Sequence, residues 1–399
     1  MIDLNIISGL DIGNGYLKGR FQGVKKTPVN VDIPSCAVQL VSTPIVPDEP
    51  DDEYMADIFD RMICLFNSGL VPNSNRFMFG RGAIASGRSL IEFDIADANL
   101  SKAEQQLSSL LVLASVAGAT LRNYWELNHK LPSGVIKANV KTSLALPIDE
   151  YMKCKQEFSN KFKSAEHEVT ICNFETPVHI KITFDQVNVL PEGVSAQFAI
   201  IAKGEPFAKA LLDDVRKSNK KALCEITAKD VVECKNTCGI DIGEGTVNFP
   251  VIIDGRFNNI LSTSIQRGYG TVLEQALPAI QKQNMPYESR KAVADFIQMP
   301  ETAFNKKRKA TIKDVVDAEA SDLVNEIIKE VSRILRGGNV EVIYVYGGGA
   351  TPLKDVLYKK LIEKTRTFAG GDEFPILYLD SSYARNLNRE GLYQASLKK

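Results

Sequence analysis

At 399 residues the chain exceeds what a single hydrophobic core usually serves, so two or more domains are expected. Its 44% hydrophobic and 24% charged residues exclude a disordered or fibrous protein, and a net charge of −1 offers no global attraction to nucleic acid or anionic lipid. Seven scattered cysteines read as reduced thiols, no apolar run nears the roughly 18 residues that span a bilayer, and the N-terminus lacks the basic and apolar regions of a signal peptide, so a cytoplasmic protein without membrane contact is expected.

In chain order, Ile6 to Leu10 reads as a strand that ends in Asp11, turns tightly through Gly13-Asn14-Gly15, and returns from Tyr16 to Gln22, with Lys18 on the return. Glycines in such a turn allow positive φ and let backbone N–H groups approach an anion with no side chain in the way. Val29 to Val41 continues the sheet. Pro44 to Glu53, with three prolines and five acidic residues, reads as a solvated loop. Helices are expected over 54–66 and 101–130, flanking Phe77 to Gly80 and a turn-rich stretch from Arg81 to Arg88. Ser101 and Glu104 have the spacing of a capping box for the second helix. Leu107 to Leu121 is apolar on nearly every face, which predicts burial, and Tyr124 and Trp125 read as packing residues.

Val135 to Pro147 and Val178 to Leu190 read as strands around a polar helix from Asp149 to Ser164. Val194 to Ala202 is an apolar helix, and residues 204–236, rich in Lys, Asp and Glu, read as a decoration of the second domain. Then Asp241-Ile242-Gly243-Glu244-Gly245-Thr246 repeats the first turn, with the aspartate again two residues before the first glycine. One such turn is an ordinary hairpin. Two at the same offset point to two similar domains that share one phosphate-bearing ligand, and an aspartate there suits a hydrated Mg²⁺, a hard cation that prefers oxygen ligands.

A hairpin is expected around Asp254-Gly255, between Val247–Ile253 and Arg256–Leu261. Gln266 to Thr271 precedes another helix, and Lys306 to Lys309 is the one concentrated basic run, read as a surface turn or a subunit or adaptor contact. Residues 314–336 carry apolar positions at helical spacing. Val342 to Tyr346 reads as a buried strand, followed by Gly347-Gly348-Gly349-Ala350 and a helix from Lys354. A flat glycine patch there can lie against a purine and its ribose.

With those three motifs in that order, the chain resembles the superfamily of actin, the large heat-shock chaperones and the sugar kinases. Pro191-Glu192-Gly193 and the segment Ala384 to Gly391 make it look most like the ParM-type plasmid-segregation actins. The resemblance implies an α/β actin-like fold of two ribonuclease H-like domains with a nucleotide cleft between them. The first would span 1–193, with 380–399 returning to it and a 44–130 subdomain insertion; the second would span 194–379. It implies Mg²⁺ with ATP or GTP as cofactors. Asp11, Gly13, Asn14, Gly15, Tyr16, Lys18, Gly243, Glu244, Gly245 and Thr246 would bind phosphates, and Gly347, Gly348, Gly349 and Ala350 the nucleoside. Asp11 and Asp241 would hold the metal through water, and Glu192, with Asp241 as the competing candidate, would activate the attacking water. The implied activity is NTP hydrolysis coupled to a filament of this chain, which moves plasmid DNA through a separately encoded DNA-binding adaptor without itself binding DNA. A small-molecule kinase and a non-polymerising nucleotide switch are the alternatives on the same fold.

Overall fold

Ile2–Ile12 forms β1, and its alternation decides how everything near it is arranged: Leu10 and Ile12 enter an apolar core while Gly9 and Asp11 face the other side. The structure is a computed structural model that describes residues 2–24, 26–42, 50–72, 75–95, 97, 100–218, 223, 225–370, 373–379, 383 and 385–398. Two compact units emerge, one of Met1–Pro191 with Asn388–Lys399 and one of Glu192–Leu387.

In the first unit β1 is followed by β2 (Tyr16–Gln22), β3 (Pro28–Pro34) and β4 (Cys36–Leu40), then α1 (Asp51–Ala56), α2 (Ile58–Arg61), β5 (Ile63–Asn67), β6 (Arg76–Phe79), α3 (Gly80–Ala85) and β7 (Ile91–Glu92). It continues with α4 (Gln106–Asn128), β8 (Ile136–Leu146), α5 (Ile148–Lys163), β9 (His167–Ile171) and β10 (Val178–Pro191). The ten strands form one sheet in the order β3-β2-β1-β8-β10-β9-β5-β6-β4-β7. β1 runs antiparallel to β2 and parallel to β8. The α4 segment from Leu107 to Leu121 is buried throughout and forms the centre of this unit's core.

The second unit begins with α6 (Val194–Ser218) and α7 (Ala228–Glu233). There follow β11 (Thr237–Ile242), β12 (Val247–Phe249), β13 (Val251–Ile253), β14 (Arg256–Phe257) and β15 (Thr263–Ile265). Next come α8 (Tyr269–Lys282), α9 (Arg290–Gln298), α10 (Lys306–Gly337), β16 (Val342–Tyr346), α11 (Ala350–Thr365), β17 (Ile376–Tyr378) and α12 (Leu387–Leu397), which crosses back into the first unit. The sheet runs β14-β13-β11-β12-β15, and β16 lies parallel between β11 and β17. β16 is apolar at every position because both its faces are covered. Ile343 and Val345 pack with α10 and α11, and Val342, Tyr344 and Tyr346 pack with α6 and α7.

Several expectations shift. Residues 54–66 do not form one helix: α1 and α2 give way at Met62 to strand β5, whose partners β6 and β9 lie elsewhere in the chain. Arg81 to Ala85 is helical rather than turn. Asp51 to Glu53 opens α1 instead of closing a loop, and residues 44–49 of that loop lie outside those described. Ser101 and Glu104 make the reciprocal capping bonds, at 3.1, 2.6 and 3.2 Å, but in a turn ahead of the helix, which starts at Gln106. The basic run opens α10 rather than forming a turn, and α11 starts at Ala350, ahead of Lys354. The 204–236 segment does more than decorate. Phe207, Leu211, Leu212, Leu223 and Val231 are core residues, α6 passes a non-helical Gly204 (φ 68°), and residues 219–222 and 224 lie outside those described. Ala384 of the second connector does too. Among the described residues no helix is long and apolar enough to cross a membrane.

Candidate functional site

Both Asp-Gly turns close with the same bond. The Gly13 N–H donates to the Tyr16 carbonyl at 3.0 Å, and the Gly243 N–H donates to the Thr246 carbonyl at 2.9 Å. A Cβ on Gly13 would lie 2.8 Å from the Tyr16 oxygen, too close without a shift of the turn, and one on Gly243 would make a tight 3.1 Å contact with the Thr246 oxygen. In the first unit the turn is anchored from outside by Ser35, whose N–H donates to Gly15 O at 2.9 Å and whose hydroxyl donates to Gly13 O at 2.6 Å. With these carbonyls occupied, the turn keeps one shape. Asn14, Gly15 and Tyr16 remain half-buried at its rim. Asp11 is buried opposite Lys18 in the β1–β2 register, and the Lys18 Nζ sits 3.9 Å from its carboxylate.

The second turn is held by its neighbours in the same unit. Tyr269 and Gly270 donate backbone N–H bonds to Gly243 O and Glu244 O at 2.9 and 2.8 Å, and Gly349 N–H donates to Ile242 O at 2.8 Å. The Glu244 carboxylate is paired with Arg290 at 3.3 Å, and Arg290 also reaches Glu274 at 3.5 Å, so the Glu244 side chain is committed to α8 and α9. Of the late glycines, Gly347 (φ 95°) would put a Cβ 2.6 Å from the Asp241 carboxylate, and Gly349 would put one 2.7 Å from Tyr269 Cβ. Those two are glycine because the strand end backs directly onto the Asp241 turn. Gly348 faces open space and is exposed, and Ala350 is buried as the first residue of α11.

Glu192 is buried and accepts a hydrogen bond from Asn248 Nδ2 at 2.8 Å. The same amide reaches Thr246 Oγ1 at 3.3 Å, and its carbonyl accepts from Ser264 Oγ at 2.7 Å. Asn248 stands directly across from Asp241 in the β11–β12 register. The structure therefore gathers Glu192, Asp241, Thr246 and Asn248 into one buried polar cluster of the second unit. Asn248 was not singled out in the sequence, although an asparagine between Val247 and Phe249 in a strand was the available signal.

A second missed feature extends the repeat. Gly9 and Gly239 each stand two residues before the aspartate, so the repeated unit is Gly-x-Asp-x-Gly-x-Gly. A Cβ on Gly9 would lie 2.2 Å from the Tyr393 amide nitrogen of α12, and one on Gly239 2.3 Å from the Tyr346 hydroxyl and 2.8 Å from Gln197 of α6. Each unit thus seats a helix on the strand that carries its aspartate. On α12, Ser396 Oγ bonds Ser8 O at 2.6 Å and Ser143 Oγ at 2.7 Å. At α6, the Tyr346 hydroxyl donates to Gly193 O at 2.8 Å, and Gln197 bridges Thr237 and the Pro250 carbonyl. Burial first, and then the Asp241 charge, push the Tyr346 phenol up, which keeps it a donor.

Among the described residues no three His, Cys, Asp or Glu are gathered as a metal cage. Asp11 and Asp241 are each buried near the end of a strand, β1 and β11, and carboxylate oxygens suit a hard, hydrated cation such as Mg²⁺.

A model of a family described as the archaeal actin homologue MreB-like, C-terminal, matches residues 239–359. No protein of curated function matches the sequence. Among solved structures, Bacillus thuringiensis ParM with AMPPNP is similar over 98% of both chains, at 20% identity and a TM-score of 0.59. Ta0583, an archaeal actin homolog, is similar over 99% of both chains, at 16% identity and a TM-score of 0.59. Apo psk41 ParM is similar over 98% of this chain and 97% of its own, at 14% identity and a TM-score of 0.53. The fold is that of the actin-like proteins. Within them the chain resembles the ParM type.

Proposed function

We propose that this chain is a Mg²⁺-dependent NTPase of the ParM kind, which polymerises with nucleotide and segregates plasmid DNA through a separate adaptor. The observation that carries the reading is the identical closure of the Asp11 and Asp241 turns, one in each unit of an actin-like fold. ATP is the favoured nucleotide, since the B. thuringiensis ParM structures are of complexes with AMPPNP, ATP and ADP. The Asp11 and Asp241 turns would each bind phosphate through backbone N–H groups, with Lys18 on the β-phosphate and Gly348 beside the nucleoside. Bound Mg²⁺ would neutralise charge on the transferring phosphoryl group, where in-line positioning counts for more than covalent help from the protein. Glu192, its carboxylate oriented by Asn248, takes the proton of the attacking water, and Asp241 is the second candidate for that step.

Light scattering after ATP addition tests the assembly: scattering above a critical protein concentration supports it. Turnover that needs a small acceptor and ignores protein concentration would instead make the chain a kinase. The archaeal actin homologues among its likenesses favour, as a second reading, a filament former with a task other than plasmid partition. Loss of a plasmid that carries this gene, when the gene is deleted, separates the two.

A further inference from the structure

The β1–β2–β3 ribbon has one apolar face, with Leu10, Ile12, Leu17, Phe21, Val31 and Ile33 in the core, so its other face must carry the alternating positions. That face is charged. Asp11 pairs in register with Lys18, and Lys18 with Asp32; one step along, Gly9 pairs with Arg20. The helix α12 lies over this row. Arg389 Nη1 donates to Asp32 Oδ1 at 2.8 Å with 6% of the Arg389 side chain exposed, and the Arg20 guanidinium lies 5.4 Å from the Tyr393 ring centre. The Nε atoms of Arg20 and Arg389 are buried without a hydrogen-bond partner. Lys18, Arg20 and Arg389 share this layer with Asp11, Asp32 and the neighbouring Glu390, so its charges balance beside the Asp11 turn. A buried arginine that bonds a half-exposed aspartate is an expensive way to fasten a helix already seated by Gly9 and Ser396.

We infer that Arg389 is a positioning residue, which through Asp32 sets the charge balance around Lys18 and Asp11 and so ties phosphate occupancy of the Asp11 turn to the seating of α12. This rests on the nucleotide reading above. A phosphate that draws Lys18 toward itself leaves Asp11 and Asp32 to the remaining cations, of which Arg389 is the one carried on the helix. Occupancy then tightens α12 onto β1. Arg389 touches no reacting atom in this account.

Hydrogen exchange with and without AMPPNP and Mg²⁺ reads both ends of the coupling. In the wild type, nucleotide should slow exchange in both Asp-Gly turns and also across residues 388–397. In Arg389→Met the turns should still be slowed at saturating nucleotide, the 388–397 response should vanish, and binding should weaken by roughly tenfold, the scale of one charge-assisted contact. Arg389→Lys should restore part of both. Asp32→Asn, at a position that tolerates change through its exposure, should reproduce the loss if Arg389→Met does not fold. Wild-type affinity together with an undiminished 388–397 response in Arg389→Met or Asp32→Asn overturns the inference and leaves the nucleotide reading intact. Absence of slowing at the turns of the wild type overturns the nucleotide reading, and this inference with it.

Discussion

Asp11 and Asp241 illustrate how much one carboxylate can be asked to do. Each is buried near a strand end beside a glycine turn, and in the proposed reading each meets Mg²⁺ through the cation's water shell. Asp11→Ala and Asp241→Ala are each expected to abolish Mg²⁺-dependent ATP hydrolysis while the circular dichroism spectrum stays that of the wild type. Wild-type turnover at saturating Mg²⁺ in either variant would remove these turns as phosphate loops. Glu192 makes a different case. Its carboxylate accepts from Asn248, and in the proposed reading it takes the proton of the attacking water, a role that typically contributes about 10²- to 10⁴-fold. Glu192→Ala should therefore bind nucleotide and assemble, hydrolyse slower by that order, and form longer-lived filaments. Weakened binding with unchanged hydrolysis per bound nucleotide would mark Glu192 as structural.

Lys161 belongs to the residue scale as well, though it lies away from the site. Its Nζ donates to Ala103 O at 2.8 Å and sits 4.5 Å from the Phe158 ring centre, and burial holds its pKa down to about 8 from 10.5. Between those values the unfolded chain binds the extra proton, so this lysine makes stability rise with pH across about 8 to 10.5 and carries its full penalty below 8. Urea denaturation of wild type and Lys161→Met at pH 7 and pH 10 should show the wild type gaining on the variant at the higher pH. An unchanged difference would refute the assignment.

At the scale of elements, glycine placement separates contacts that build the site from contacts that use it. A Cβ at Gly9 would enter the α12 backbone, so Gly9→Ala should destabilise the protein by about 1–3 kcal/mol, the usual range for overpacking, seen as a lower thermal midpoint. Gly348 faces open space between two glycines that cannot change, so Gly348→Ala should keep the wild-type midpoint and lower nucleotide affinity. A stability loss at Gly348 with unaltered affinity would contradict the nucleoside role proposed for it. Element boundaries were legible where local chemistry decides them. β2 and β16 fall where the return from the first glycine turn and a continuous apolar run put them, and Asp254-Gly255 turns with φ of 52° and 74°, the positive values a two-residue hairpin needs. The expected helix over 54–66 failed because pairing with β6 and β9 claims Ile63 to Asn67 for the sheet, a partner effect that no window of the sequence contains.

For the whole molecule, the proposal makes nucleotide and assembly two ligands of one equilibrium. If the triphosphate state favours the filament, the filament must favour the triphosphate state by the same factor. A coupling on the order of 1–3 kcal/mol predicts a critical concentration roughly 5- to 150-fold higher with ADP than with AMPPNP, measured by sedimentation. Equal critical concentrations would leave a static polymer or an enzyme that does not assemble.

What the sequence determined by itself is the pair of Asp-Gly turns, the glycine-rich strand end and the actin-like architecture their order implies, because each rests on backbone geometry that a few adjacent residues dictate. Tertiary structure alone decided why Gly9 and Gly239 must be glycine, that Glu192 is held by Asn248, that Glu244 is spent on Arg290, and that Arg389 reaches Asp32. Glu244 and Arg290 stand 46 residues apart, Glu192 and Asn248 56, and Asp32 and Arg389 357, and only the closing of the sheets brings them together. A local window can specify φ and ψ. It cannot specify which distant side chain fills the space that those angles leave.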